Sequence, residues 1–319
     1  MIRRLLGLAL VAGCASDAVD DDKEPFTEES STEELYTEEL FTEGPVFGTW
    51  LPEDYTPSAP KNLIFFGDSI TVGTGATEFT REYNQLLMLN DDEAWPEHGD
   101  EDLESTFGEI PPAIYDVSQG GATAKQVVAW QLPNLESQMP EVVEGETIVV
   151  ATIGGNDMVL AVFASQLADD PEATAQAEVD KMVENLIEIS AFFADSQRFP
   201  DPVYLYITNI YEPTDTVGQA EVCFNNVDLR IGIGAIDLAN LAMLELAQEE
   251  GYGYVDMRSH FLGHGHHAGD VSGEWHVPDD ATTWFVDDCI HPNDRGHHEI
   301  RRLFSAAIAG APLEAHREQ

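Results

Sequence analysis

The sequence predicts an α/β protein built as a single three-layer α/β/α sandwich, with a central, mostly parallel sheet of five strands. Three observations carry that expectation. Five short apolar runs, several of them β-branched, alternate with longer segments of helical spacing, and such alternation folds as a parallel sheet with helices on both faces. The runs are apolar almost throughout, as strands covered on both sides are. Hydrophobic residues make up 43% of 319 positions, enough to fill one substantial core.

The elements follow in order. Asn62-Leu63-Ile64-Phe65-Phe66 is the first strand and stops at Gly67. Arg81 to Asn90 has helical spacing, and the acidic residues 91–109 read as an inserted loop. Ile114 to Val117 is the second strand. Ala122 to Leu132 reads as a helix that Pro133 ends or kinks, because proline lacks the N–H and crowds the preceding turn. Thr147 to Ile153 (TIVVATI) is the third strand. Residues 171–195 then place Met182, Leu186, Ile189 and Phe192 at helical period. Val203 to Thr208 and Tyr252 to Val255 are the fourth and fifth strands, separated by a helix over Ile236 to Glu249. A last helix covers roughly 295–309.

This domain is placed at residues 59–312, before a short tail at 313–319. Two segments without a packing pattern precede it. Arg3 and Arg4, apolar Leu5 to Val11, and Ala12-Gly13-Cys14 have the layout of a secretion signal, too short for a membrane span. Val11-Ala12-Gly13-Cys14 resembles the lipobox of bacterial lipoproteins. The resemblance implies acylation of Cys14 and a lipid anchor in the bacterial cell envelope. Ala15, where aspartate marks inner-membrane retention in some bacteria, points to the outer membrane or cell surface. A plain signal peptide with an accidental cysteine is the alternative. Residues 15–58 read as an acidic, low-complexity linker. Positions 17–54 hold 14 acids and one lysine, and Thr-Glu-Glu recurs every five residues from Thr27, Thr32 and Thr37. Five is the period of neither a helix stripe nor a strand face, and dense like charge extends a chain.

The whole sequence carries 14 Lys and Arg against 60 Asp and Glu, a formal charge of 14 − 60 = −46. A field of that sign repels nucleic acid and anionic membranes, which excludes binding to a phosphate backbone.

Four short blocks carry chemistry. Gly67-Asp68-Ser69-Ile70 follows the first strand, so Ser69 sits at a strand's carboxyl end, where open parallel sheets build sites. Alone, Ser69 is as readily a helix cap. Gly120-Gly121-Ala122-Thr123 follows the second strand; glycine there lets a backbone N–H approach a ligand, or makes an ordinary turn. Gly154-Gly155-Asn156-Asp157 follows the third strand, and Asn156 offers a side-chain donor or a cap. Asp288-Cys289-Ile290-His291-Pro292 precedes the last helix. Its three-residue offset on a tight turn brings a carboxylate to the imidazole, which suits a general base and equally a structural pair.

Together the four blocks resemble the SGNH hydrolases, also called GDSL esterases and lipases, over roughly residues 60–310. The resemblance rests on the GDSI, GGND and DCIHP blocks in that family's order, and Ile70 departs from its leucine. It implies a flavodoxin-like fold and a serine carboxylester hydrolase. Ser69 would be the nucleophile, with Asp288 and His291 as triad partners. An oxyanion hole would form from the N–H groups of Ser69 and Gly121 and the side chain of Asn156. Gly120 is the alternative to Gly121, and Asp287 a second candidate orienter at a departing spacing. No cofactor is implied. An acyltransferase on the same site, or a non-catalytic surface-binding lipoprotein, are the competing readings.

The remaining signals are weaker. Cys223 and Cys289 are left after Cys14, and in an oxidising compartment they pair or stay as two buried thiols. His260, His264, His266 and His267 around Gly263 and Gly265 suggest a metal site or, more simply, a mobile glycine-rich loop near the active site. Trp275, Trp284 and Phe285 line a pocket or fill the core, and His297 and His298 pack in the last helix. The sequence shows no long apolar lid, which favours small or soluble esters.

Overall fold

All five apolar runs form strands, because a stretch apolar on both faces is stable only between two layers. The computed structural model describes residues 47–218 and 230–313, all within the unit Pro45–Gln319. The strands are β1 (Asn62–Gly67), β2 (Ala113–Asp116), β3 (Thr147–Thr152), β4 (Val203–Thr208) and β5 (Gly253–Val255). They pair in parallel in the order β2-β1-β3-β4-β5. Strand alternation divides the core cleanly. Ile64, Phe66, Val149, Ala151, Leu205 and Ile207 face one layer. Leu63, Phe65, Ile148, Val150, Tyr206 and Val255 face the other.

The helices are α1 (Tyr83–Met88), α2 (Leu103–Phe107), α3 (Ala124–Gln126), α4 (Leu132–Gln138), α5 (Gly155–Gln166), α6 (Pro171–Phe193), α7 (Arg230–Glu250), α8 (Met257–Phe261) and α9 (Asp294–Ile308). Val179, Met182, Leu186 and Ile189 of α6 and Ala239 and Met243 of α7 cover the first face. Ile300, Leu303 and Phe304 of α9, with Tyr83 and Leu87 of α1, cover the second. Burying each such Val, Leu, Ile, Met or Phe side chain stabilises the fold by roughly 1.5–3 kcal/mol.

Three expectations need correction. Pro133 does not end its helix: a five-residue π turn (Val127–Gln131) links α3 to α4, and Pro133 sits in the first turn of α4. The wider turn, closed by Leu132 N–H on the Val127 carbonyl, absorbs the residue that cannot donate. The acidic stretch 91–109 is not merely a loop, since it contains α2 and a 3₁₀ turn at Pro96–His98. Its Glu101 pairs with Arg302 of α9 at 2.9 Å. The folded unit also starts before residue 59. Phe47 is buried, Trp50 exchanges two backbone bonds with Tyr254, and the Tyr55 hydroxyl accepts the Leu205 N–H at 2.7 Å. Aromatic side chains inside the acidic run have core to bury against. Cys14 and Cys223 lie outside the described residues.

Candidate active site

The order β2-β1-β3 places a topological switch point at the carboxyl ends of β1 and β3, where adjacent crossovers leave in opposite directions and open a crevice. The loops after β1, β2 and β3 meet there. Gly67 makes the first turn possible: its φ is +127°, and a Cβ would stand 2.2 Å from the Thr152 carbonyl oxygen. The chain then reverses through Asp68, whose carboxylate accepts the Ile70 N–H at 3.0 Å and the Thr152 hydroxyl at 2.9 Å. Ser69 is left at the crevice floor.

The histidine arrives on a turn closed by two backbone bonds, Val286 N–H to the His291 carbonyl and Cys289 N–H to the Val286 carbonyl. Cys289 takes a left-handed φ of +68° within it. The Tyr211 hydroxyl donates to the Ile290 carbonyl from below. Asp288 accepts the N–H groups of Ile290 and His291, each at 2.9 Å. Its other oxygen lies 2.6 Å from His291 Nδ1. His291 Nε2 lies 2.8 Å from Ser69 Oγ. His291 pairs with Asp288; Asp287 is exposed.

Electrostatics separate the two carboxyls beside this histidine. Burial pushes Asp288 up, but the N–H groups and imidazole of His291 outweigh it and hold Asp288 below the usual carboxylate range. Asp68 is fully enclosed, and burial raises it to about 6 despite the Ile70 and Thr152 donors. Asp68 was not singled out from the sequence. Its position inside the GDSI block was the available signal.

Gly120, Gly121 and Asn156 line the same crevice as Ser69 and His291. A Cβ on Gly120 would stand 3.9 Å from Ser69 Cβ. Gly121 has a left-handed φ of +78°. Asn156, in the first turn of α5, gives one N–H to the Ala122 carbonyl at 3.0 Å, which fixes its amide beside the glycine loop and leaves the second N–H. Asp157 accepts the Ala124 N–H at 3.0 Å and ties α5 to α3.

The crevice at Ser69 and its extension between α5 and α7 form one cavity of about 640 Å³. Its walls include Met158, Val159, Val162 and Phe163 of α5, Ile236 of α7 and Ile210. No local pattern announces this cavity, because its two walls lie about seventy residues apart and its apolar lining carries no motif.

The histidine cluster is packed against the core. His264 is stacked on Trp284, and His260 Nε2 meets Glu299 at 2.8 Å in the interior. The Gly263, Gly265 and His267 N–H groups all donate to Asp215. Among the described residues no group of three His, Cys, Asp or Glu is placed to hold a metal ion. Trp284 and Phe285 fill the core. Trp275 donates to the Thr216 hydroxyl at 2.8 Å. His297 and His298 are buried in α9.

A model of the GDSL-like lipase/acylhydrolase family matches residues 65–299, a span that contains Ser69, Asn156 and His291. The chain belongs to this family. It is therefore an esterase/lipase-type enzyme of the SGNH class. No curated protein sequence matches this GDSL-like chain. Among solved structures it resembles a gut microbial diltiazem-metabolizing enzyme, with 16% identity and a TM-score of 0.54 over 82% of this chain. This GDSL-like chain spans 49% of that protein's length. Phospholipase A1 from Streptomyces albidoflavus NA297 aligns with 19% identity and a TM-score of 0.48, over 77% of this chain and 99% of that one. A catalytic mutant of an acetylxylan esterase from Geobacillus stearothermophilus aligns with 17% identity and a TM-score of 0.48, over 82% and 99%. At such identities the first likeness speaks for the fold alone.

Proposed function

We propose that this GDSL-like enzyme hydrolyses carboxylic esters of apolar acyl groups through an acyl-enzyme on Ser69. One observation carries the reading: the continuous line from Asp288 Oδ2 to His291 Nδ1 at 2.6 Å and from His291 Nε2 to Ser69 Oγ at 2.8 Å. A serine hydroxyl attacks an ester only when a base takes its proton as the bond forms. With His291 neutral and protonated at Nδ1, the Nδ1–H donates to Asp288 and Nε2 accepts from Ser69. Asp288 remains ionised and stabilises the imidazolium once Nε2 holds the proton.

The Ser69 oxygen adds to the ester carbonyl carbon, and the carbonyl oxygen gains a negative charge. The N–H groups of Ser69 and Gly121 and the free Asn156 N–H are the donors for that oxyanion. Collapse expels the alcohol, which takes the proton from His291. Water then enters, gives a proton to His291 and adds to the acyl carbon; Ser69 leaves with that proton and the acid is released.

The cavity between α5 and α7 supports an apolar acyl chain over acetate, which would leave its walls unfilled. At about 640 Å³ it lies within the ~300–1,000 Å³ of small-molecule sites. Each methylene moved into it is worth about 0.8 kcal/mol. This revises the preference for small esters drawn from the lack of a lid.

The test is a series of p-nitrophenyl esters from acetate to decanoate, run on wild type and Ser69→Ala. The expected result is kcat/KM rising with chain length beyond acetate in wild type, and loss of turnover at every length in Ser69→Ala with an unchanged melting temperature. Near-normal turnover by folded Ser69→Ala rejects the nucleophile. Acetate as the best substrate rejects the acyl cavity.

A further inference from the structure

The parallel ladder between β1 and β2 ends early. Paired register stops at Phe65 and Asp116, after which Val117 N–H still reaches the Phe65 carbonyl at 2.9 Å and Gln119 N–H the Gly67 carbonyl at 3.0 Å. A continued ladder would hand the Gly67 N–H to the carbonyl of Val117. That N–H goes instead to Gln131 Oε1 at 2.8 Å. Gln131 Nε2 in turn donates to the Gly67 carbonyl at 2.7 Å. Gln131 is 2% exposed, so its carboxamide acts as an inserted peptide group at the buried carboxyl end of β1.

Gln131 is the last residue of the π turn. A π turn adds a residue to the helix and re-aims every side chain at its end, and such turns gather at functional sites. Here it aims an amide at the glycine two residues before Ser69. The bonds close a loop. Gly67 is held by Gln131 and Gln119, and between those two lie Gly121 and the helix that starts behind it. The turn that carries the Ser69 N–H is therefore tied to the segment that carries the Gly121 N–H.

We propose that Gln131 is a positioning residue for the oxyanion hole, fixing the Ser69 N–H relative to the Gly121 N–H through the Gly67 peptide. This rests on Ser69 being the nucleophile and on those donors facing the oxyanion. Gln131 touches no substrate atom and acts only through Gly67. An oxyanion is stabilised by donors already aimed at it, and loss of one donor costs about 10²–10³ in rate. Displacing one costs less.

The experiment compares Gln131→Met and Gln131→Glu with wild type on p-nitrophenyl butyrate from pH 5.5 to 8.5, with melting temperatures and fluorophosphonate labelling. Gln131→Met removes both bonds at similar size and is expected to lower kcat about tenfold, with KM within about twofold. Gln131→Glu keeps only the acceptor when ionised. Protonated, it again accepts from the Gly67 N–H and donates to the Gly67 carbonyl. Its kcat relative to wild type is expected to rise at least threefold as pH falls, whereas the Gln131→Met ratio stays flat. Folded Gln131→Met with wild-type kcat overturns the proposal. So does a pH-independent Gln131→Glu ratio, which decides the matter if Gln131→Met does not fold. Wild type that fails to label with fluorophosphonate overturns the nucleophile itself. A labelled wild type beside unaffected variants overturns only the role of Gln131.

Discussion

A hydroxyl, an imidazole and an amide are unremarkable alone, and Ser69, His291 and Asn156 gain their chemistry from what holds them. The Ala122 carbonyl uses one N–H of Asn156 and so orients the other. Asn156→Ala is expected to lower kcat about 10²–10³-fold while changing KM little, since the lost bond is strongest to the developing oxyanion. An unchanged kcat on p-nitrophenyl butyrate removes Asn156 from the hole. These three residues were legible because each falls in a short block, Ser69 and Asn156 after a glycine and His291 three residues after Asp288. Gln131 was not, because its role comes from a π turn that no local pattern announces. Asp68 was in plain view, but its enclosure depends on Thr152 from the neighbouring strand.

At the level of elements, contacts between α9 and the loop after β1 help bring His291 to Ser69. Asp294 at the start of α9 accepts the Thr77 N–H and hydroxyl, each at 2.7 Å, and Arg81 Nη1 at 3.1 Å. Gly75 packs directly under the histidine turn. Its φ is +103°, and a Cβ would stand 2.1 Å from the Pro292 carbonyl oxygen and 3.2 Å from His291 Cβ. Gly75→Ala must move one segment off the other. The expected result is a melting temperature lowered by the equivalent of about 1–3 kcal/mol and a kcat reduced about tenfold or more, since small misplacements of reacting groups are costly. Retained kcat in a destabilised Gly75→Ala would show that this contact serves the fold and not the site. Elements were the easiest scale to read, as β1, β3 and β4 show. The exceptions arose where distant parts meet a segment: the acidic stretch around Glu101 is tied to α9 through Arg301 and Arg302.

For the molecule as a whole, buried titratable groups give stability a dependence on pH. Burial lowers His264 and His297 to about 4 and His298 to about 2. Their unfolded values lie near 6.5, so below about 6.5 the unfolded chain binds protons that the fold refuses, and stability falls with pH. Asp68, Asp157 and Asp215 act oppositely. Burial raises each to about 6, so from about 6 down to their unfolded range near 4 the fold holds the extra protons and gains stability. The two sets offset each other over much of that window. His298 separates them, because both its ring nitrogens lack a hydrogen-bond partner and its ring stacks on Trp95. His298→Phe keeps the stack and removes the titration. Its stability relative to wild type is expected to grow by up to about 1.4 kcal/mol per pH unit on acidification from 6.5 to 5, measured by urea unfolding. A difference independent of pH rejects this account.

The sequence alone determined the parallel α/β sandwich, the order of its strands along the chain, and the blocks that led to the family. These are properties of short stretches, since burial on two faces and glycine turns leave local marks. Tertiary structure decided which partners those blocks meet: the 2.8 Å contact of His291 with Ser69, the Gln131 clamp on Gly67, the packed histidine cluster, and the apolar cavity between α5 and α7. Each is a contact between segments far apart in the chain, and such distances are set by packing across layers, which no single stretch of sequence encodes.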